Sequence, residues 1–512
     1  MTHLFHQIFA TKNLMRNVIS SQLEFGQIDI AHINIDVTSR DDIPLILLGL
    51  QHIYTTASLK KAVFKILQEI IPHKGKKESD ETEAVSANKG RPGMEQWSIL
   101  VLGTLRLALN TDYDRIQELA NQHRTLRMML GLGDFDDKSY RLQTLKDNLK
   151  LFTPDIMERI NLEVIRAGHQ LLGLNESTSI QGRCDSFVLK TDVHFPTDIN
   201  LLHDAIRVLV RQCLYWSKDY YLPDWRQHKH NLARFKKQYR KIQRLRHSTS
   251  RDETKKQLKA DEIIKAHRLY IDLAQVFLDR AIVSYDLLKG THAVSEILLE
   301  DMKTFRLHGE RQINQIRRRV IEGEKIPHDE KVFSLFQPHT EWIKKGKAGI
   351  PVELGVRVCI LEDDHGFILH HKVMQKETDD KIAVEMVKAT QEKFPKLNAC
   401  SFDKGFHSKA NQSGLKEILD QVTLPKKGKL SVADKEHEYA EEFKQAKKKH
   451  SAVESAINAL QVHGLSKCRD HGIEAFERYA ALAILAGNIQ QVGAIKRTIE
   501  RKRLMKQNRK AA

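Results

Sequence analysis

The chain has 512 residues, with 83 Lys and Arg against 66 Asp and Glu and a formal charge of +17. Hydrophobic residues make up 41% and charged residues 29%, which excludes a disordered or fibrous chain and is enough for a substantial core. The longest uncharged stretch in the C-terminal part, Tyr479 to Ile495, carries Gly487, Asn488, Gln490 and Gln491 and is too short and too polar to span a bilayer.

The N-terminus, MTHLFHQIFATKN, has no basic region followed by an apolar core, so no signal peptide and a cytoplasmic location are expected. Cys184, Cys213, Cys359, Cys400 and Cys468 lie far apart without a CxxC pair, which predicts neither a disulfide framework nor a zinc knuckle. The positive excess favours a polyanionic partner; for a large soluble chain nucleic acid is commoner than a membrane surface, and charge alone does not separate the two.

In chain order, residues 1–72 read as helical, with apolar runs at Ile43–Ile53 and Leu59–Ile71. Residues 73–92 are polar and without apolar period, a linker. Helical patterns resume at Met94. Ser139 is placed to cap the segment that follows it, and Thr153-Pro154-Asp155 is a helix start. Short helices with tight polar turns over 93–180, and Arg124 and Arg127 outward, suit a helix-turn-helix reader of DNA; a supporting helical bundle is the alternative.

The texture changes at 181, where GRCDSFVLKT alternates like a strand, followed by a helix from Leu201 to Cys213. Residues 217–326 are charged and helical. Between Arg226 and Arg246 they hold nine Lys and Arg and no acid, more than solubility needs, so a nucleic-acid backbone contact is expected through Arg234, Lys236, Lys237 and Arg240. Trp225, Phe235 and Tyr239 interleave at helical spacing and read as packing residues. Strand texture returns at KVFSLFQPH (331–339) and ELGVRVCIL, which with FILHHKVM brackets the turn EDDHG as a hairpin. A helix from Asp379, a short strand NACSF, a Lys/Gly-rich loop at 424–430 and further helices end in a basic tail. His370 and His371 point to opposite faces of a strand, which argues against a shared metal with His365.

Three acids stand out: Asp185 in the first strand, Asp403 at the end of Ala399–Phe402, and Glu454 on a helix whose apolar stripe is Val453, Ile457 and Leu460. Singly each has an ordinary role: a strand edge for Asp185, a turn for Asp403, an exposed helix position for Glu454. Together, on a strand, a second strand and a late helix, they have the layout of a ribonuclease-H-like (RNase H-like) domain. Such acids hold two divalent metals, Mg²⁺ or Mn²⁺, for in-line phosphoryl displacement.

The segments RCDSFVLKTDVHFPTDINLLHDAIRVL, PHTEWIKKGKAGIPVELGVRVCIL, SFDKGFHSK and KKHSAVESAINALQVHGLSKCRDHGIEAFERYAALAILAGN resemble the DDE transposases of bacterial insertion sequences, nearest to the loosely classified ISNCY group. RPGMEQWSILVLGTLRLALNTDYDRIQELANQHRTLRMMLG is similar to that group's N-terminal helical region, so the resemblance covers roughly residues 91 to 495. It implies that the catalytic, metal-holding set is Asp185, Asp403 in DKGF, and Glu454, with Asp192 and Asp198 as competitors for the first position. Many relatives place Tyr and Arg before the Glu and Lys after it; those positions here hold Lys447, His450 and Gln461. His450, one helical turn from Glu454, is then a candidate DNA contact, and Lys404 or Lys409 a substitute for the missing Lys.

The expected architecture is α/β. A helical region (1–72), the linker (73–92) and an all-α, helix-turn-helix-like region (93–180) precede an RNase H-like mixed-sheet catalytic domain (181–216 and 327–490). A basic helical insertion (217–326) interrupts that domain, and a basic tail (491–512) ends the chain. The implied function is DNA transposition: Mg²⁺- or Mn²⁺-dependent cleavage at the element's ends, then strand transfer into target DNA. The implied partners are double-stranded DNA (terminal inverted repeats and target) and further copies of the chain, a dimer or larger assembly. The alternatives are a nuclease of the same fold without strand transfer and an inactive DNA-binding relic.

Overall fold

A computed structural model of the chain describes residues 17–20, 22–70, 93–175, 177–247, 252–291, 295–344 and 351–511. The linker expected at 73–92 and residues 1–16 lie outside the described residues. The protein is α/β, with a mixed sheet and a majority of helical residues. It divides into two compact units, the first made of residues 1–192 and 355–512, the second of 193–354.

In the first unit, α1 (Asp42–Thr55), α2 (Ala57–Leu67), α3 (Gln96–Ala108), α4 (Tyr113–Gln122), α5 (Arg124–Met129), α6 (Leu142–Leu149) and α7 (Pro154–Leu171) lead into strand β1 (Ile180–Thr191). α7 starts as its sequence dictates: Thr153 accepts from the Ile156 N–H and Pro154 occupies the first turn. Ser139 does not cap α6; its N-cap is Arg141, without a side-chain bond, because the chain turns two residues later than the polar pattern predicts. Every residue of α3 is buried, including Arg106, whose guanidinium is only 4% exposed and meets Asp470 at 2.7 Å. A helix buried all round is a core element. Arg127 is half-buried and donates to the carbonyls of Asp136 and Lys138, so the α5 region spends that cation internally.

The second unit holds α8 (Asp198–Trp216), α9 (His228–His247), α10 (Glu253–Lys289), α11 (Glu296–Ile316), a π-helical turn at Arg317–Ile321 and the short strand β2 (Glu341–Lys344). The helical segment expected over 217–326 falls inside it, and the unit also takes in α8. Residues 331–339, expected as a strand, are turns and bends. Its separate core is built from Leu202, Leu209, Phe235, Tyr270, Phe277 and their neighbours. Phe235 stacks on Tyr270 with centroids 4.5 Å apart, Trp225 Nε1 donates to Ser284 Oγ at 2.8 Å, and Tyr239 packs on His203 and donates to Asn200 Oδ1 at 2.6 Å, so all three aromatics of the basic stretch are packing residues.

Back in the first unit come β3 (Val352–Asp363), β4 (Ile368–Met374), α12 (Asp379–Gln391), β5 (Leu397–Phe402), α13 (Lys409–Ile418), β6 (Gln421–Thr423), α14 (Val432–Tyr439), α15 (Glu441–His450), α16 (Ala452–Leu460), β7 (Lys467–Cys468) and α17 (Ile473–Ala511). β3 and β4 form the expected hairpin. At its turn the buried Asp363 accepts from the N–H groups of His365 and Phe367 and meets His169 at 2.7 Å, while Gly366 takes φ +84°. The strand order is β4-β3-β1-β5-β6. β1 runs antiparallel to β3 and parallel to β5, β5 is parallel to β6, and β7 adds a short parallel pair at the far end of β1.

α17 joins sheet and helices into one core. Its half from Phe476 to Val492 is buried, and Asn488 there bonds both backbone groups of Ile368 and the side chain of Asn161. α17 crosses α1 at glycines: a Cβ on Gly493 would lie 2.0 Å from the Leu45 carbonyl oxygen, and one on Gly49 2.1 Å from that of Ile489. Among the described residues no helix is long and apolar enough to cross a membrane.

Candidate active site

β1 is the inner strand where the sheet changes from antiparallel to parallel pairing, so both of its neighbours can place side chains beside it. In the parallel pair, Arg183 stands opposite Ser401 and Cys184 opposite Phe402. The next residues in that register are Asp185 and Asp403. The two acids are therefore brought side by side at the point where β5 ends, the end of a parallel strand at which ligands are commonly held. Asp403 is exposed and begins the one-turn 3₁₀ helix Lys404–Phe406, while Asp185 is half-buried.

Side chains alternate across a strand. Cys184, Cys359 and Cys400 lie on one face, where Cys184 Sγ is 3.5 Å from Cys359 Sγ and α12 packs through Ile382, Ala383 and Met386. Arg183, Asp185, Ala399 and Ser401 point to the other face, which α15 and α16 cover. Glu454 lies in the first turn of α16, exposed. Its helix begins after a break at Ser451, so His450 ends α15 rather than sharing a helix with Glu454. His450 is turned onto the sheet, with Nδ1 3.0 Å from Ser401 Oγ. Burial lowers its pKa, with Arg183 acting in the same sense and Asp403 and Glu454 opposing, which favours the neutral ring at neutral pH.

A fourth acid joins the group. Asp379 heads α12 and accepts from Ser186 Oγ at 2.7 Å. Asp379 and Asp403 close around one glycine: a Cβ on Gly405 would meet Asp379 Oδ2 at 3.3 Å and Asp403 Oδ2 at 3.8 Å. The sequence marks Asp379 only as the start of a helix, because acids are favoured in any first turn. Its role beside Asp185 comes from the β4–α12 connection, which no local pattern encodes.

The electrostatic consequence falls on Asp185. Burial raises its pKa, and the charges of Asp403, Asp379 and Glu454 raise it further against the lowering effect of the Ser186 N–H bond, to about 6. Four carboxylates thus share one neighbourhood with too little positive charge to balance them. Arg183, the nearest cation on the strand, is committed elsewhere: it pairs with Glu362 at 3.3 Å and donates to the Asp363 carbonyl at 2.6 Å. Hard carboxylate oxygens are the donors that Mg²⁺ and Mn²⁺ take. Donor type and charge therefore fit a divalent cation. Among the described residues, however, no three His, Cys, Asp or Glu side chains stand together in ligating position, so the acids form a loose electronegative cluster and not a closed cage.

The other sequence candidates divide between the units. Lys404 and Lys409 are exposed, immediately after Asp403 and at the head of α13. Arg234, Lys236, Lys237 and Arg240 are exposed on α9 of the second unit. Asp192 pairs with Lys467, and Asp198, in the first turn of α8, meets Arg319 at 2.7 Å, so both competitors of Asp185 are engaged in ion pairs. His370 lies 3.3 Å from Glu158. Comparison with protein-family models, with curated proteins and with solved structures finds no match to this chain.

Proposed function

We propose that the protein is a DDE-type DNA transposase with an RNase H-like catalytic domain, cleaving the ends of a mobile element and joining them to target DNA. The observation that carries the reading is the β1–β5 register, which sets Asp403 beside Asp185 on adjacent parallel strands. The order of elements supports it: a strand with the first acid, an antiparallel hairpin, a crossing helix, a parallel strand ending on the second acid, and a later helix with Glu454. Asp185, Asp403 and Glu454 would hold divalent cations, which when bound stabilise the attacking and leaving oxygens of a phosphoryl displacement. Asp379 would add negative charge to the same cluster through Ser186.

The chain's own residues would do the rest. Arg234, Lys236, Lys237 and Arg240 line one exposed face of α9, and Lys502, Arg503 and Lys506 are exposed on the last turns of α17; both would take DNA phosphates. Lys404 and Lys409, next to Asp403, would position the strand to be cut. Since two ends must meet, a dimer or larger assembly on DNA is part of the proposal. The loose arrangement of the acids favours, as second reading, an inactive DNA-binding relic.

The test is incubation of the full chain with a duplex carrying the DNA that flanks its gene, in Mg²⁺ or Mn²⁺ and in EDTA. Metal-dependent cuts at a defined end followed by joined product support transposition. Cuts without joining point to a nuclease of this fold, and tight binding without any cut selects the relic.

A further inference from the structure

Beside the acid cluster, on the same face of the sheet, lies a cavity of about 630 Å³. That volume is within the roughly 300–1,000 Å³ of small-ligand sites. Its floor is two rungs of the sheet: Gln181, Ala399 and Gln421 on one, Arg183, Ser401 and Thr423 on the next. The rung after these carries Asp185 and Asp403. Rungs on one face are about 6.6 Å apart at ~3.3 Å per residue, so the cavity begins one rung from the acids. Its wall is the end of α15 and the start of α16, with Lys448 and Lys449.

The lining is unusual for a gap between packed elements. It has no aromatic ring, and Ala399, Ala446 and Ala452 leave the space open. Gln181, Gln421, Lys448 and Lys449 are exposed at its mouth, and among the described residues their side chains make no hydrogen bond or ion pair. Two free carboxamides offer paired donors and acceptors of the kind that match a nucleobase edge. Two free ammonium groups at the wall suit a phosphate. Glu442 and Asp364 also line the space, which disfavours a bare polyanion and favours a ligand that is mostly neutral with one charged end.

We propose that this cavity receives one unpaired nucleotide of the DNA strand held at the acids, its base edge on Gln181 and Gln421 and its phosphate on Lys448 and Lys449. The inference rests on the DNA-processing reading and deepens it: the site acts on a strand locally out of the duplex, as enzymes that must expose a base require. With no ring to stack upon, recognition is by hydrogen bonds, and the nucleotide is held unstacked.

The experiment uses the full chain in EDTA and a duplex with a single unpaired 2-aminopurine, whose emission rises on unstacking. Binding is followed separately by anisotropy of a label at the far end. The expected result is a rise in emission on binding, lost when Ala446→Trp fills the cavity and in Gln181→Ala/Gln421→Ala at protein concentrations where anisotropy shows the DNA fully bound. The second variant removes only side-chain ends, so a folding defect in the first does not decide the outcome. DNA bound with unchanged emission, or a rise that both variants keep, overturns the cavity assignment and leaves the proposed function standing. No DNA bound at all overturns both.

Discussion

Asp185→Asn is expected to make the protein more stable. In the fold the Asp185 carboxyl titrates at about 6 instead of 3.8, because burial and three neighbouring carboxylates disfavour its charge. At about 1.4 kcal/mol per unit, ionised Asp185 costs the native state roughly 3 kcal/mol at neutral pH. Asparagine is nearly isosteric, and its Oδ1 can still accept the Ser186 N–H bond now made at 2.7 Å. Most of the cost is therefore recovered. Spread over the roughly 350 residues of the first unit, at about 2.1 cal/mol/K per residue, 3 kcal/mol raises Tm by about 4 °C. The sign with pH is fixed: a carboxyl whose folded pKa is raised carries its penalty fully above about pH 6, and the penalty is gone below the unfolded value. The gain should thus be full at pH 7.5 and shrink as pH falls through 6 towards 4. Scanning calorimetry of both proteins across that range, in EDTA, checks it. No gain at pH 7.5, or a gain equally large at pH 4.5, would refute the uncompensated acid cluster.

Four further outcomes are expected. Gly493→Ala forces a methyl to within 2.0 Å of the Leu45 carbonyl, which cannot turn away, and should lower stability by about 1–3 kcal/mol or more in urea unfolding. Gly487→Ala, whose nearest neighbour would be Leu460 at 3.4 Å, should be neutral or stabilising. Arg106→Ala leaves the largely buried Asp470 unpaired and removes the guanidinium from the Tyr113 ring, 4.0 Å away; a loss of about 3–5 kcal/mol is expected, partly restored by Arg106→Met/Asp470→Leu. Neutralising Arg234, Lys236, Lys237 and Arg240 together should flatten the slope of log K against log salt for duplex binding by about 3–4, at ~0.9 per phosphate contact. An unchanged slope would make that face of α9 an ordinary solvated surface.

Much of this arrangement is legible in the sequence where the signal is local. The alternation of GRCDSFVLKT, the hairpin around EDDHG and the Thr153-Pro154 start correspond to β1, β3–β4 and α7, since each depends on residues that touch along the chain. The strand texture of 331–339 misled because its aromatic residues serve contacts in the second unit: Phe333 packs on Trp342 and Phe336 on Phe305. Ser139 misled because α6 starts at Leu142 after an N-cap, Arg141, that makes no side-chain bond, so its start is set by packing rather than by a cap. In the candidate site, Asp185 and Asp403 stood out by position on strands, whereas Asp379 was hidden as an unremarkable helix start. The pairing of His450 with Ser401 was likewise hidden: the break at Ser451 turns the His from the Glu454 side onto the sheet, and no residue there marks a helix end.

The proposed function requires the acids at the end of β5 to hold a divalent cation. Electron paramagnetic resonance of Mn²⁺ with the full chain tests it without DNA or turnover. The parent should hold Mn²⁺ that millimolar Mg²⁺ displaces, and Asp185→Asn/Asp403→Asn should lose that population while remaining folded by circular dichroism. Equal Mn²⁺ binding by parent and variant, or none by either, would contradict the claim.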